Sequence, residues 1–155
     1  MAGRIEARLR DLGLELPQAA APVAAYVPVV RTGNLLFTSG QITLWNGELR
    51  HLGKLGAGLT VEQGQEAARL CALNILAQAK AALDGDLDRV VRVVKLVGFV
   101  NSTPEFTDQP KVVNGASELM QAVFGDAGRH ARSAVSAGSL PLGVAVEVEA
   151  IFEVV

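Results

Sequence analysis

The chain has 155 residues, a length that suits one domain with a buried core. Hydrophobic residues make up 50% of it and charged residues 19%, which is typical of an ordered protein and argues against a disordered one. The net charge is −2 and no basic stripe is present, so the sequence argues against a nucleic-acid partner.

The first residues predict a short amphipathic helix. Ile5, Leu9 and Leu12 recur at helical spacing, and Gly13 follows as a stop. Because charged and apolar residues alternate over residues 1–11, we expect no secretory signal there and a cytoplasmic protein.

A proline-rich connector and a hairpin come next. Residues 17–30 are apolar but are interrupted by prolines, which excludes a membrane span, and we expect residues 17–25 to form an extended connector. Residues 26–31 and 35–39 have the composition of strands, and Thr-Gly-Asn at 32–34 predicts a hairpin between them.

Turns and a glycine-rich loop are predicted after the hairpin. Residues 45–47, Trp-Asn-Gly, are typical of a turn, and residues 51–59 are rich in glycine. This loop resembles a phosphate-binding loop only superficially, because the Gly-Lys-Ser/Thr ending is missing. We expect a flexible loop, and such loops can also serve as a lid over a site.

The clearest helix starts at Thr60. Thr60 and Gln63 form a capping box, and Gly85 can close the far end. The only cysteine, Cys71, lies inside this helix, so no intrachain disulfide is possible and we expect the thiol to pack in the core. Leucines at helical spacing build a wide apolar face: Leu70, Leu73, Leu76 and Leu83.

The second half predicts a strand, a helix and two more strands. Residues 90–100 are rich in Val and Leu, which indicates a strand buried on both faces. A helix is expected from about Asp108 to Gly125, and strands are expected over residues 132–137 and 144–155. The apolar side of this helix is formed by Val112, Ala116, Leu119 and Val123.

The order β-β-α-β-α-β-β predicts an α+β fold of one domain, residues 1–155. The helix and connector occupy residues 1–25 and the core occupies residues 26–155. Long strands and two crossing helices suggest one mixed sheet with both helices on one face, so the other face would need a second subunit.

Few residues suggest metal or nucleophilic chemistry. His51 and His130 are the only histidines and have no metal-ligand spacing, so we interpret both as surface residues and expect no metal or cofactor. Ser39 ends a strand without the GxSxG pattern of a nucleophile elbow, and by itself it is typical of a turn.

Arg132 is the most informative residue. It opens a strand that otherwise contains small side chains, where a guanidinium needs an anionic partner. Its planar fork could bind a ligand carboxylate through two hydrogen bonds. The alternative is an ordinary edge arginine paired with a surface acid.

Glu147 and Glu149 occupy the polar positions of the last strand. Their alternation with Val146 and Val148 is typical of a solvated sheet face. The functional hypothesis is that one carboxylate faces the same cavity as Arg132 and positions a water molecule.

Together these segments resemble the YjgF/RidA family of reactive-intermediate deaminases, over about residues 26–155. The resemblance is carried by Tyr26-Val27, the Phe-Thr-Ser-Gly-Gln-Ile sequence at 37–42, Val112-Val113-Asn114, Ala131-Arg132-Ser133, Leu140-Pro141 and the Val-Glu-Val-Glu-Ala-Ile sequence at 146–151.

The resemblance implies a chorismate-mutase-like fold assembled as a homotrimer, with a cleft between each pair of neighbours. It implies that Arg132 holds the substrate carboxylate and Glu147 positions the attacking water. The reaction implied is hydrolysis of a 2-imino acid, or its enamine tautomer, to a 2-keto acid and ammonia. The other substrate-binding residues implied are Tyr26, Ser39, Gly40, Asn114 and Ala134.

Departures from the family pattern keep a second function open. Ala134 stands where many deaminating members have cysteine, and the N-terminal helix and the longer region at residues 43–59 depart from the shortest members. The chain therefore resembles a divergent branch. A trimer that binds small carboxylates without turning them over is the alternative, whereas the acidic balance argues against RNA cleavage.

Overall fold

The computed structural model describes residues 3–22 and 24–155, so residues 1–2 and position 23 of the predicted connector lie outside the described residues. The elements, in chain order, are α1 Arg4–Asp11, β1 Val29–Thr32, β2 Leu35–Thr38, β3 Leu44–Trp45, β4 Glu48–Leu49, β5 Lys54–Leu55, β6 Gly58–Leu59, α2 Val61–Ala82, β7 Val90–Asn101, α3 Gln109–Phe124, β8 Ala131–Ala137 and β9 Val146–Val154.

Five strands form one mixed sheet in the order β1-β2-β9-β7-β8. Within this sheet only the neighbours β7 and β8 are parallel, and α3 makes the crossover between them. Helices α2 and α3 cover one face, which confirms the predicted α+β fold with two main helices on one side. The core between sheet and helices contains fully buried side chains such as Phe152, Leu36, Leu96, Ile75, Leu76 and Leu119.

The opposite face of the sheet is open. Along β9 the residues from Val146 to Val154 alternate strictly between buried and half-buried, because only one face has helices against it. Burial of β7 on both faces, which the sequence indicated, is wrong within one copy: Val91 is 43% exposed and Val97 is half-buried. No described element covers this second face.

Local signals placed the two hairpin turns correctly. The β1–β2 hairpin turns at Gly33–Asn34. Asn46 and Gly47 join β3 to β4, and both have the positive φ angles, 49° and 88°, that a tight hairpin turn requires. Strand β1 begins at Val29 and not at Tyr26 as predicted, since Pro28 has no N–H to extend the ladder.

The helix ends also follow from the sequence. The capping box of α2 is present: Gln63 N donates to Thr60 Oγ1 at 3.1 Å, and Thr60 N donates to Gln63 Oε1 at 2.9 Å. Helix α3 starts directly after Asp108 and ends at Gly125, as predicted. The predicted N-terminal helix is α1, and none of the described helices is long and apolar enough to cross a membrane.

The glycine-rich stretch is an anchored segment and not the expected flexible loop or lid. Leu55 is fully buried, and Leu52 forms a β-bridge with Val144 near the start of β9. Lys54 Nζ donates to Asn101 Oδ1 at 2.6 Å. Burial of an apolar side chain and pairing of the backbone hold such a segment in place.

Cys71 packs in the core, as expected. It is completely buried on α2, and burial raises the pKa of its thiol far above the ordinary value. A thiol that stays protonated is a poor nucleophile, so this cysteine contributes packing.

Candidate functional site

Arg132 lies at the start of edge strand β8 and points toward helix α3. Its Nη1 donates to Asn114 Oδ1 at 2.8 Å and to Ser117 Oγ at 3.2 Å, and its Nη2 donates to the carbonyl oxygen of Pro110 at 3.2 Å. All three acceptors belong to one helix, so α3 fixes the plane of the guanidinium.

The remaining edge of this guanidinium is suited to an anion. These bonds use three N–H groups of the five that arginine carries, and within the described chain they leave Nε–H and one Nη2–H. None of the ion pairs formed by described residues includes Arg132. The structure therefore does not support pairing with a surface acid, and the half-buried cation keeps a two-pronged donor edge.

His130 contacts Arg132 indirectly, because Ser117 forms a hydrogen bond with each of them. The ring Nδ1 donates to the carbonyl oxygen of Gly128 at 2.6 Å, because a carbonyl can only accept. In the neutral ring Nε2 then accepts from Ser117 Oγ at 2.9 Å, which turns the oxygen's lone pairs toward Arg132. The expectation of a surface histidine is wrong for His130, since its ring is half-buried and bonded at both nitrogens.

The electrostatics of this corner favour neutral histidine. Burial lowers the pKa of His130 most strongly, the bond to Gly128 opposes that change, and the charge of Arg132 lowers the pKa further. A neutral ring keeps Ser117 as a proton donor to His130 and an acceptor for Arg132, so the orientation is stable at neutral pH.

Glu147, Glu149 and Gly40 form a second cluster, in which Glu147 lies on the open face of the sheet. Its carboxylate lies directly against the backbone of Gly40, where a side chain on residue 40 would overlap it. Burial raises the pKa of Glu147, and the negative charge of Glu149 on the same strand adds to the rise. A carboxylate with a raised pKa is well suited to exchange protons near neutral pH.

A cavity of about 310 Å³ opens beside this second cluster. Tyr26, Ser39 and Gly40 line it, so three of the residues implied by the family resemblance do meet. Ser39 is held at the end of β2, where its backbone N–H donates to the carbonyl of Pro28 at 2.8 Å. Glu147 itself does not line the cavity, but Gly40 forms part of the cavity wall and contacts the Glu147 carboxylate.

Within one copy the two clusters lie on opposite faces of the sheet. Arg132 pairs in register with buried Leu96 on the helix side, and Ala134 follows on the same face opposite Gly98. Glu147 pairs with Phe99 on the open side. The expectation that Arg132 and Glu147 share a cavity is therefore wrong for a single protomer, because strand register places them on different faces.

Sequence reasoning missed several polar residues of the cavity. Gln41, Asn74 and Gln78 line it and are almost fully buried, with 7%, 2% and 3% exposure. A signal existed for two of them: Asn74 and Gln78 stand four residues apart within an otherwise apolar stretch of α2. Buried amides need hydrogen-bond partners, so such a pair indicates a polar feature against the helix.

The chain is similar to known proteins over nearly its whole length. Residues 6–153 match the family model described as "YjgF/chorismate_mutase-like, putative endoribonuclease". Protein TCP17 of Trypanosoma cruzi is 55% identical over 152 residues, with 97% of this chain and 94% of that protein covered. A 2-iminobutanoate/2-iminopropanoate deaminase of Dermatophagoides farinae is 27% identical over 138 residues, with 89% and 92% covered.

The chain is also similar to solved structures over most of its length. The crystal structure of Atu1372 from Agrobacterium tumefaciens, described as having unknown function, is 51% identical with a TM-score of 0.91, covering 97% of this chain and 92% of that one. The structure of E. coli TdcF with bound serine is 26% identical with a TM-score of 0.63, covering 90% and 95%.

Proposed function

Because this chain belongs to the YjgF/chorismate mutase-like family, also called the RidA family, we propose that it hydrolyses small 2-imino acids, or their enamine tautomers, to 2-keto acids and ammonia. The observation that carries the proposal is Arg132, a half-buried guanidinium held by three neutral acceptors, with a two-pronged donor edge still available. That edge matches the carboxylate that every 2-imino acid carries.

Two relatives support a ligand of this class. The Dermatophagoides farinae relative is named as a deaminase of two short 2-imino acids, and TdcF was solved with serine, a small molecule that also carries a carboxylate. The hydrolysis needs no metal or covalent nucleophile, since a protonated imine is already electrophilic. Orientation of the substrate and of one water can supply most of the rate enhancement.

The complete site requires two copies of the chain. Arg132 and Glu147 lie on opposite faces of the sheet in one copy, so the arginine of one copy would meet the Glu147 cluster of a neighbour. A homotrimer with three such clefts, as the resemblance implies, would also cover the open sheet face. Closed rings of this kind use one directional contact repeated around the axis.

In the proposed reaction Arg132 binds the substrate carboxylate and Glu147 accepts a proton from water. The water oxygen bonds to the imine carbon as the C=N double bond becomes a single bond. Glu147 then returns the proton to the nitrogen and takes the hydroxyl proton as the C=O bond forms and the C–N bond breaks. The keto acid and ammonia leave, and Glu147 passes its proton to the ammonia. The raised pKa of Glu147 favours this two-way transfer.

The direct test is keto-acid release from freshly generated 2-iminopropanoate. Wild-type protein is expected to accelerate release above the spontaneous rate at equal pH and buffer. An assembled protein that binds pyruvate but gives no acceleration would replace this proposal with the non-catalytic carboxylate binder. Cleavage of a single-stranded RNA, lost at moderate salt, would instead support the endoribonuclease activity in the family description.

Removing the charge of Glu149 is expected to move the acid limb of the pH–rate profile. Glu147 must be ionised to accept a proton, and the charge of Glu149 raises its pKa. In Glu149→Gln the ionised form of Glu147 is more stable, so its pKa falls and activity persists to lower pH. The measurement is kcat/KM against pH, corrected for spontaneous hydrolysis at each pH.

Glu153→Gln is the matched control for this shift. Glu153 lies on the same strand and the same face but is not among the groups that raise the pKa of Glu147. An acid limb that stays in place in Glu149→Gln, or moves equally in both variants, would contradict the role given to Glu147.

A further inference from the structure

We propose that the cavity beside Gly40 is the subsite for the substrate side chain and that it selects neutral, mainly apolar side chains longer than the methyl or ethyl group of the shortest 2-imino acids. The assignment of a substrate side chain rests on the proposed function, since it assumes a 2-imino acid whose carboxylate is bound by Arg132. The preference itself concerns binding and does not depend on turnover.

The position of the cavity fits this role. Gly40 lines the cavity and at the same time touches the carboxylate of Glu147. The cavity therefore lies one residue away from Glu147, close enough for a substrate whose reacting carbon is held near Glu147 to place its side chain there. The carboxylate would extend the other way, toward the arginine of the neighbouring copy.

The size of the cavity sets the length of the side chain. Its volume of about 310 Å³ is at the lower end of the range for small-molecule sites. A methyl or ethyl group would leave most of this space unfilled, and each further buried methylene adds apolar contact. A branched or thioether side chain of about four heavy atoms fits the space better.

The lining determines the charge that is accepted. Tyr26 is the only ionisable side chain among the described lining residues, and apolar groups such as Pro22, Ile42, Leu44 and Leu49 form much of the wall. An ionised side chain would lose its hydration there without gaining a counter-charge, which disfavours binding strongly. Neutral side chains carry no such penalty.

The buried amides hold the walls in position. Gln78 Nε2 donates to the carbonyl of Ala20 at 2.8 Å, and Asn74 Nδ2 donates to the carbonyl of Leu44 at 2.7 Å. Ala20 belongs to the connector and Leu44 to the β3–β4 hairpin, so α2 fixes both segments. Both segments line the cavity, so these two hydrogen bonds hold its walls against α2.

Calorimetric titration with three 2-keto acids tests the inference on the wild-type assembly. We expect 4-methyl-2-oxopentanoate, which has a neutral branched side chain, to bind on the order of tenfold more tightly than pyruvate. We expect 2-oxoglutarate, with a second carboxylate, to bind more weakly than 4-methyl-2-oxopentanoate by at least as much. Equal affinities, or a preference for 2-oxoglutarate, would overturn the inference.

A variant that narrows the cavity tests whether the preference for 4-methyl-2-oxopentanoate over pyruvate arises there. Ala21→Trp adds a large side chain at an exposed position of the cavity wall, so it is expected to reduce the ratio of the pyruvate Kd to the 4-methyl-2-oxopentanoate Kd several-fold. Ala25→Trp, an exposed position that does not line the cavity, should keep the wild-type ratio. The inference is wrong if the two variants behave alike.

Failure of the inference and failure of the proposed function give different results. Turnover of 2-iminopropanoate without a side-chain preference overturns the subsite and leaves the deaminase proposal standing. A preference that Ala21→Trp removes, without turnover of any imino acid, supports the subsite and refutes the deaminase proposal.

Discussion

Arg132→Ala is expected to lower kcat/KM for 2-iminopropanoate on the order of a thousandfold, chiefly through KM. The substitution removes a half-buried cation that has no acidic partner among the described residues, so the substrate carboxylate loses both its charge partner and its two-pronged donor. The measurement is keto-acid release over a range of substrate concentrations, corrected for spontaneous hydrolysis.

Two further variants separate charge from geometry. Arg132→Lys keeps the charge but loses the planar fork, so its kcat/KM should fall between those of the alanine variant and the wild type. Arg69→Ala removes an exposed arginine from α2 and should leave turnover unchanged. If Arg132→Ala retained kcat/KM within a few-fold of the Arg69→Ala control, Arg132 would have no role in binding substrate.

Glu147→Gln is expected to lower kcat on the order of a hundredfold while KM changes little. Glutamine has nearly the same size and can still hold a water molecule, but it cannot accept the proton as the C–O bond forms. The acid limb of the pH profile should also disappear, because the group that titrates there is gone. Steady-state kinetics at several pH values measure both effects.

Glu153→Gln again provides the comparison, since it removes a carboxylate from the same face of β9. It should retain the wild-type kcat. Equal losses in both variants would point to a general effect of charge on the sheet face, and an unchanged kcat in Glu147→Gln would remove Glu147 from the mechanism.

Much of the fold could be predicted because its signals are local. The capping box at Thr60 and the turn at Asn46–Gly47 depend on a few adjacent residues, and both are present in the structure. Alternation along β9 showed which of its residues are buried, since only one face of the sheet has helices against it. Errors occurred at the start of β1 and on the second face of β7, where the outcome depends on which elements lie alongside.

The arrangement of the site could not be predicted in the same way. Whether Arg132 and Glu147 share a face depends on how β8 and β9 pair with β7, and strand register is a long-range property that a single sequence does not specify. The need of Arg132 for a hydrogen-bonding partner could be inferred, because a guanidinium in a strand of small residues needs one. Its support by His130 through Ser117 depends on contacts between distant segments.

The cavity also depends on contacts between distant segments, which the sequence does not reveal. Asn74 and Gln78 were visible as polar residues in an apolar helix, but their partners lie in the connector and in the β3–β4 hairpin. The path of the proline-rich connector depends on its contacts, and the turn signal at Asn46–Gly47 does not show what the hairpin packs against. The specificity proposed here therefore follows from tertiary contacts.

The central claim is that each site joins Arg132 of one copy to Glu147 of the next, and mixed assemblies test it most directly. Arg132→Ala and Glu147→Gln chains are co-expressed with different tags, and assemblies that contain both are purified. Every mixed ring of three has one interface with both native residues, so we expect about one third of wild-type activity, far above either variant alone. Activity no greater than that of the separate variants, from confirmed mixed trimers, would contradict a site shared between copies.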